Sequence, residues 1–267
     1  MLSIHHYFGF KLGDEEVYRL IKQTGFESTA LWWGNRNYIN YASHPDIARK
    51  AGLHIEYIHA PYSLINNIWT DSLEGDDIEQ LLLSCIEDCA LHELPIMVMH
   101  ISSGDTPPPY NELGLDRIKR ITEKAEQKNI RIALENLRRV DYLAYVLGNI
   151  DSQKVGFCYD SGHRNWRAPD VDLLGLYGAR LMALHLHDND GTFDQHLLPF
   201  DGDINWKETM TQIASTGFKG AVSLEVGNAG YKHLSPVEFL QISFERANKL
   251  LAIYQNIPRK PLKLELT

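Results

Sequence analysis

Short runs rich in β-branched, aromatic and aliphatic residues alternate along this chain with longer stretches in which apolar positions recur every three or four residues. The short runs lie at 2–6, 26–32, 54–59, 96–101, 130–135, 155–160, 181–187 and 221–226, bounded by turn residues, and are read as strands. The stretches at 15–24, 46–51, 77–92, 115–128, 142–149, 171–177, 206–215 and 236–254 are read as helices. Strand followed by helix, repeated eight times, predicts parallel strands joined by crossover helices. A closed (β/α)8 TIM barrel in a single domain is expected over an open sheet, because no G-x-G-x-x-G turn follows the first run. Gly25, Gly52 and Gly217 fall where helices give way to strands and are read as left-handed caps.

Alternation inside the strands assigns their faces. In the seventh run Met182, Leu184 and Leu186 should face the helices, with Ala183, His185 and His187 facing the barrel interior. In the eighth, Val222, Leu224 and Val226 should face out, with Ala221, Ser223 and Glu225 facing in. Two connections are long: 102–110, stiffened by Pro107-Pro108-Pro109 and expected as a flap over the rim, and 189–205, which carries Asp194, His196 and Gly202. Residues 1–256 are expected as the barrel. Residues 257–267, with two prolines and three basic side chains, are expected as a C-terminal tail against the surface or a partner subunit, which leaves a homo-oligomer open.

Composition narrows the function classes. At 267 residues the chain suffices for one large barrel. A formal charge of −9 argues against a polyanionic partner, so a small molecule is the simpler expectation. No apolar run approaches the roughly 18 residues of a membrane span, and no basic–apolar leader pattern opens the chain, so no membrane partner and a cytoplasmic location are expected. Cys85, Cys89 and Cys158 are an odd set of thiols, unsuited to a disulfide framework, and Cys85 and Cys89 share one helical face as small core residues.

The acids and imidazoles fall in a pattern on these strands. His59, His100, Glu135, Asp160, His185 and Glu225 stand at or near the ends of six successive strands, the rim where barrel enzymes build their sites. Singly, each has a structural explanation; in series they describe a metal cup. Two histidines of one strand, His185 and His187, share a face, so that one should bind metal while the other hydrogen-bonds or meets substrate. His163 follows Asp160 through Ser161-Gly162, expected as a glycine turn that returns the ring over the site, and Asp194-Gln195-His196 repeats an acid–imidazole pair in a loop. Trp32, Trp33, Trp69, Trp166 and Trp206 are candidates to stack on a sugar or a base, each also explicable as packing. His5 and His6 end the first strand, and only one can face inward.

The motifs Ile58-His59-Ala60-Pro61-Tyr62, Ala133-Leu134-Glu135-Asn136, Tyr159-Asp160-Ser161-Gly162-His163, His185-Leu186-His187-Asp188-Asn189, Asp194-Gln195-His196 and Leu224-Glu225 resemble those of the xylose-isomerase-like TIM barrel superfamily over nearly the whole chain. That superfamily includes sugar and sugar-phosphate isomerases and epimerases and the three-zinc apurinic/apyrimidinic endonucleases. Resemblance to the epimerase branch implies one divalent ion, manganese, magnesium, cobalt or zinc, held by Glu135, Asp160, His185 and Glu225. It also implies Glu135 and Glu225 as catalytic proton carriers through an enediolate of a small carbohydrate or its phosphate, with His163 touching the substrate; His187, Trp32 and Tyr62 are read as further candidate substrate contacts. Resemblance to the endonuclease branch implies up to three zinc ions, with His59, His100, His163, Asp194 and His196 as additional ligands. In that alternative nucleic acid is the partner, and Tyr62 and Asn35-Arg36-Asn37 stand at a DNA-facing lip.

Overall fold

The computed structural model of the protein describes residues 1–34 and 41–256. The tail at 257–267 and the Asn35-Arg36-Asn37 lip lie outside the described residues. Eight strands are formed: β1 Leu2–His5, β2 Ser28–Trp32, β3 His54–His59, β4 Ile96–Met99, β5 Arg131–Glu135, β6 Val155–Asp160, β7 Leu181–His185 and β8 Val222–Leu224. All pair in parallel in the order β7-β6-β5-β4-β3-β2-β1-β8. A further parallel bridge between Leu186 and Leu224 joins the two ends, so the sheet closes as the alternating pattern predicts.

Helices α1 Asp14–Thr24, α2 His44–Lys50, α3 Leu73–Leu91, α4 Glu112–Lys128, α5 Val140–Asn149, α6 Ser161–Arg167, α7 Leu173–Tyr177, α8 Trp206–Ser215 and α9 Pro236–Gln255 form the outer layer. Their starts are chemically marked. The side chains of Ser72, Asn111, Asp172 and Asn205 accept from backbone N–H groups in the first turns of α3, α4, α7 and α8, and Ser235 forms a capping box with Glu238 at α9. Gly25 ends α1 at φ 117°, and Gly52 and Gly217 are also left-handed, as expected of caps.

Two apolar cores result from the alternation. The larger lies between barrel and helices and takes Leu184, Leu186, Val222, Leu224 and Val226. The smaller fills the lumen with Ala30, Tyr57, Ile96, Val98, Ala133, Cys158 and Ala183. Met182 departs from its expected face. The register shifts between Phe157 and Cys158, so that Leu181 and Ala183 oppose consecutive residues of β6; Met182 is the extra residue of this bulge and packs on the lumen core. Cys85 and Cys89 are buried in the outer core, as their helical spacing implies. Among the described residues no helix is long and apolar enough to cross a membrane.

Candidate metal centre and substrate cavity

The ends of β3 to β8 meet above the lumen core and bring the sequence's acids and imidazoles together. Glu135 is the hub. Its Oε2 lies 3.3 Å from His59 Nε2 and 3.2 Å from both His100 Nε2 and His185 Nδ1, while its Oε1 lies 3.0 Å from His163 Nδ1. His185 Nδ1 is also 2.9 Å from Glu225 Oε2 and 3.9 Å from Asp160 Oδ2, so three carboxylates from β5, β6 and the residue after β8 surround one ring nitrogen. Asp194 forms a second focus, with its Oδ2 3.3 Å from both His163 Nε2 and His196 Nε2.

His163 reaches the cup by a route other than the expected glycine turn. Asp160 caps α6, its Oδ1 accepting from His163 N–H at 2.6 Å, and the first turn of that helix swings the imidazole over the rim. Gly162 instead makes space: a Cβ there would fall 1.9 Å from His187 Cε1, so only glycine leaves room for that ring. His187 is fully buried behind Asp160, with Nε2 3.2 Å from Asp160 Oδ2, and stacks on His196 at 4.1 Å. It thus supports the cup from behind and is not among the side chains lining the cavity.

The donor set fits divalent cations. Backbone carbonyls only accept, so the contacts of His59 Nδ1 with Ala60 O at 2.9 Å, His196 Nδ1 with Glu225 O at 2.8 Å and His163 Nδ1 with Asn136 O at 3.1 Å place the ring proton on Nδ1. Once a cation takes the place of any proton on Nε2, that atom can present a lone pair to the cup, the arrangement by which outer hydrogen bonds orient metal-binding imidazoles. Among the described residues His185 Nδ1, despite oxygens at 2.9 and 3.2 Å, makes no hydrogen bond of good geometry, and buried His187 Nδ1 and Asp194 Oδ1 have no hydrogen-bond partner. Such atoms are costly unless something between them is coordinated. Among the described residues four metal-sized groups occur: His59, Glu135 and His185; Glu135, Asp160 and His163; Asp160, His185 and Glu225; and His187, His196 and Glu225.

Electrostatics agree. Burial alone would raise the carboxyls of Glu135 and Glu225, but His100 and His185 hold the first, and His185 and His5 the second, well below the ordinary range. Burial likewise pushes His163, His185 and His196 down. Their neighbours win: Asp160, Asp194 and Glu135 raise His163, and Cys158, Glu225, Tyr57 and Glu135 raise His185, well above the ordinary imidazole value, while Asp194 and Glu225 raise His196 to about 9. Those protons supply the positive charge that a bound cation would replace.

A cavity of about 960 Å³ opens over the cup. Glu135, His163, Asp194, His196 and Glu225 line it, while Trp32 and Tyr62 form an aromatic wall, Tyr62 stacking on His100 at 4.4 Å and meeting Trp32 edge-on at 5.2 Å. Of the other tryptophans, Trp33, Trp69 and Trp206 are buried and donate to Asp88, Ile101 O and Asp188, while Trp166 lies between the guanidinium groups of Arg138 and Arg167. The proline-rich connection reaches the rim through Ser103 and Gly104; Asp105 pairs with Arg138 and Arg167, and the Tyr142 hydroxyl donates to Pro108 O.

Three supporting residues escaped sequence reasoning. His5, not His6, faces the lumen, its ring 5.6 Å from that of His185 and its Nε2 without a hydrogen-bond partner among the described residues. Asn136 clamps β6, donating to Asp160 O at 2.9 Å and accepting from Asp160 N–H at 2.7 Å. Asp188 accepts four hydrogen bonds from the 189–206 segment. The one signal in the sequence was that Asn136 directly follows Glu135 and Asp188 directly follows His187.

These features define a β/α barrel with a rim built from acids and imidazoles, and the family model for the xylose isomerase-like TIM barrel matches residues 18–245. The chain belongs to that family. It is similar to the uncharacterized protein MJ1311 of Methanocaldococcus jannaschii, 28% identical over 191 residues, and to the uncharacterized protein y4fM of Sinorhizobium fredii, 39% identical over 106 residues. The matched segments are 64% and 37% of this chain and 64% and 34% of those proteins, so the match spans less than two thirds of either relative. Among solved structures, the IOLI protein with a bound zinc atom superposes with a TM-score of 0.80 at 15% identity, over 96% of this chain and 99% of that one. A D-tagatose 3-epimerase-like protein gives 0.76 at 20% identity over 95% and 98%, and an L-ribulose 3-epimerase 0.76 at 11% over 97% and 99%. Likeness at such identities establishes the shared fold.

Proposed function

We propose that the protein is a divalent-metal-dependent isomerase or epimerase of a small carbohydrate, with Glu135, Asp160, His185 and Glu225 holding the ion. The observation that carries this reading is the convergence of three buried carboxylates on His185 Nδ1 within a family barrel whose fold neighbours include sugar epimerases and a zinc-bound protein. When bound, the ion polarises a carbonyl and its adjacent hydroxyl, lowering the cost of removing a carbon-bound proton. Glu135 and Glu225 flank the same nitrogen, and their carboxylates, kept ionised by the surrounding imidazoles, are poised to take and return that proton. His163 lines the cavity with Nε2 toward Asp194 and is placed to hold a substrate hydroxyl, while Trp32 and Tyr62 offer apolar faces to a sugar ring.

The test is Glu225→Gln, which preserves shape and removes the proton carrier. Turnover on a responsive ketose should fall by about 10²–10⁴-fold with the fold unchanged by circular dichroism; undiminished turnover overturns the assignment.

A second reading rests on Asp194. Its bridge between His163 and His196, beside the Glu135 focus, provides ligands for more than one ion, as phosphodiester cleavage at abasic sites in DNA by a three-zinc centre would require. Metal analysis separates the two: three zinc ions per chain and incision of an abasic duplex favour the nuclease, one ion and sugar turnover the isomerase. The charge of −9 weighs toward the sugar.

A further inference from the structure

The cavity extends well past the cup. At about 960 Å³ it reaches the upper end of the roughly 300–1,000 Å³ typical of small-molecule pockets, and only part of its wall belongs to the acids and imidazoles of the candidate centre. The remainder, a second lobe, is lined by Phe10 and Leu12 of the loop after β1, Val17 of α1, and Tyr41, His6 and His44.

Both imidazoles are built into place. His6 Nδ1 lies 3.2 Å from Trp32 N and 3.3 Å from Ala30 O, and His44 Nδ1 lies 2.7 Å from the hydroxyl of fully buried Tyr18. The lobe is thus bordered by two imidazoles, each held through its Nδ1, whose centroids are 5.0 Å apart. Burial keeps them uncharged, holding His6 down to about 3 and lowering His44. The formal charges on this wall, Lys11 and Asp14, offset each other, and the first turn of α1 that borders it carries Asp14, Glu15 and Glu16, which disfavour an anion. Uncharged imidazoles, whose rings both donate and accept, beside aromatic and aliphatic side chains match the hydroxyls and apolar faces of a sugar.

We propose that this lobe is a subsite for a second, uncharged sugar unit, so that the substrate is a disaccharide or glycoside whose ketose portion sits at the acids, and not a monosaccharide phosphate. The proposal rests on the carbohydrate reading of the cup. Three probes carrying the same ketose test it by calorimetric titration of the protein with its bound metal: D-fructose, D-fructose 6-phosphate, and 6-O-glucosyl-fructose. The glucosyl compound should bind at least tenfold more tightly than fructose, and the phosphate no more tightly. His6→Asn keeps an acceptor for Trp32 N–H while removing the far ring nitrogen, and Leu12→Trp fills the lobe. Each should abolish the tenfold advantage and leave the affinity for fructose unchanged, with thermal melts showing that both variants fold.

Equal affinity for fructose and its glucoside, tighter binding of the phosphate, or an advantage that survives both variants would each overturn the subsite. Failure of all three probes to bind would overturn the carbohydrate reading itself, a distinguishable result.

Discussion

Asp188→Asn exposes how the outer half of the cup is held. The Asp188 carboxylate is fully buried. Its Oδ1 accepts from the N–H groups of Asn189 at 3.0 Å and Ile204 at 3.1 Å, and its Oδ2 from Phe200 N–H at 2.9 Å and Trp206 Nε1–H at 2.7 Å. Asparagine keeps one acceptor oxygen and replaces the other with an amide nitrogen that cannot accept, so whichever way it turns, two N–H donors lose their partner. Hydrogen bonds to charged groups contribute about 1.5–3 kcal/mol each, which puts the loss at about 3–6 kcal/mol against a typical domain stability of about 5–15 kcal/mol. Urea titration followed by tryptophan fluorescence reads this loss as a lowered midpoint at unchanged slope. Trp206→Phe removes one of the four donors, so the double variant should cost less than the sum of the single ones by about 1–2 kcal/mol. A loss below about 1 kcal/mol for Asp188→Asn, or strict additivity with Trp206→Phe, would refute the reasoning. Because the 189–206 segment carries Asp194 and His196, the same variant should also hold less metal per chain.

Two other outcomes are expected. Exhaustive chelation should lower Tm by about 10 °C, because an ion present at about a thousand times its Kd stabilises the fold by about 4 kcal/mol and each kcal/mol shifts a domain of this size by about 2–4 °C; Glu135→Ala should melt at the chelated temperature and carry less metal, and an unmoved Tm would mean that the cup holds no ion. The acid limb of stability should depend on His6, which burial and then His44 hold down to about 3. The unfolded chain takes up that proton near pH 6.5 while the folded one refuses it until about 3, so stability is flat above 6.5 and falls as pH drops through the interval, by about 2 kcal/mol between pH 7 and 5. His6→Asn should show a shallower loss between those two pH values in urea titrations, and equal losses would contradict the assignment.

Much of this molecule was legible in one dimension. The closed barrel follows from eight alternations of period-two and period-3.6 patterning, since a parallel strand must be recrossed by a helix before the next can pair. The candidate cup follows from the same rule: strand ends of a closed barrel share one rim, so acids and imidazoles at those ends must converge, as those of Glu135 and His185 do at 3.2 Å. Three dimensions decided the rest. Met182 changed face because a bulge shifted its register, which periodicity cannot foresee. His187 shares a strand face with His185 yet sits behind Asp160, because Gly162 opens a slot for its ring, and that slot exists only once β6 and β7 are side by side. Asp188 and Asn136 act largely through backbone groups far from them in sequence, and backbone carries no residue-specific signal. The chain thus specifies which chemistry reaches the rim, whereas the tautomers, the supports and the second lobe of the cavity depend on side-chain packing across strands that only the closed structure makes neighbours.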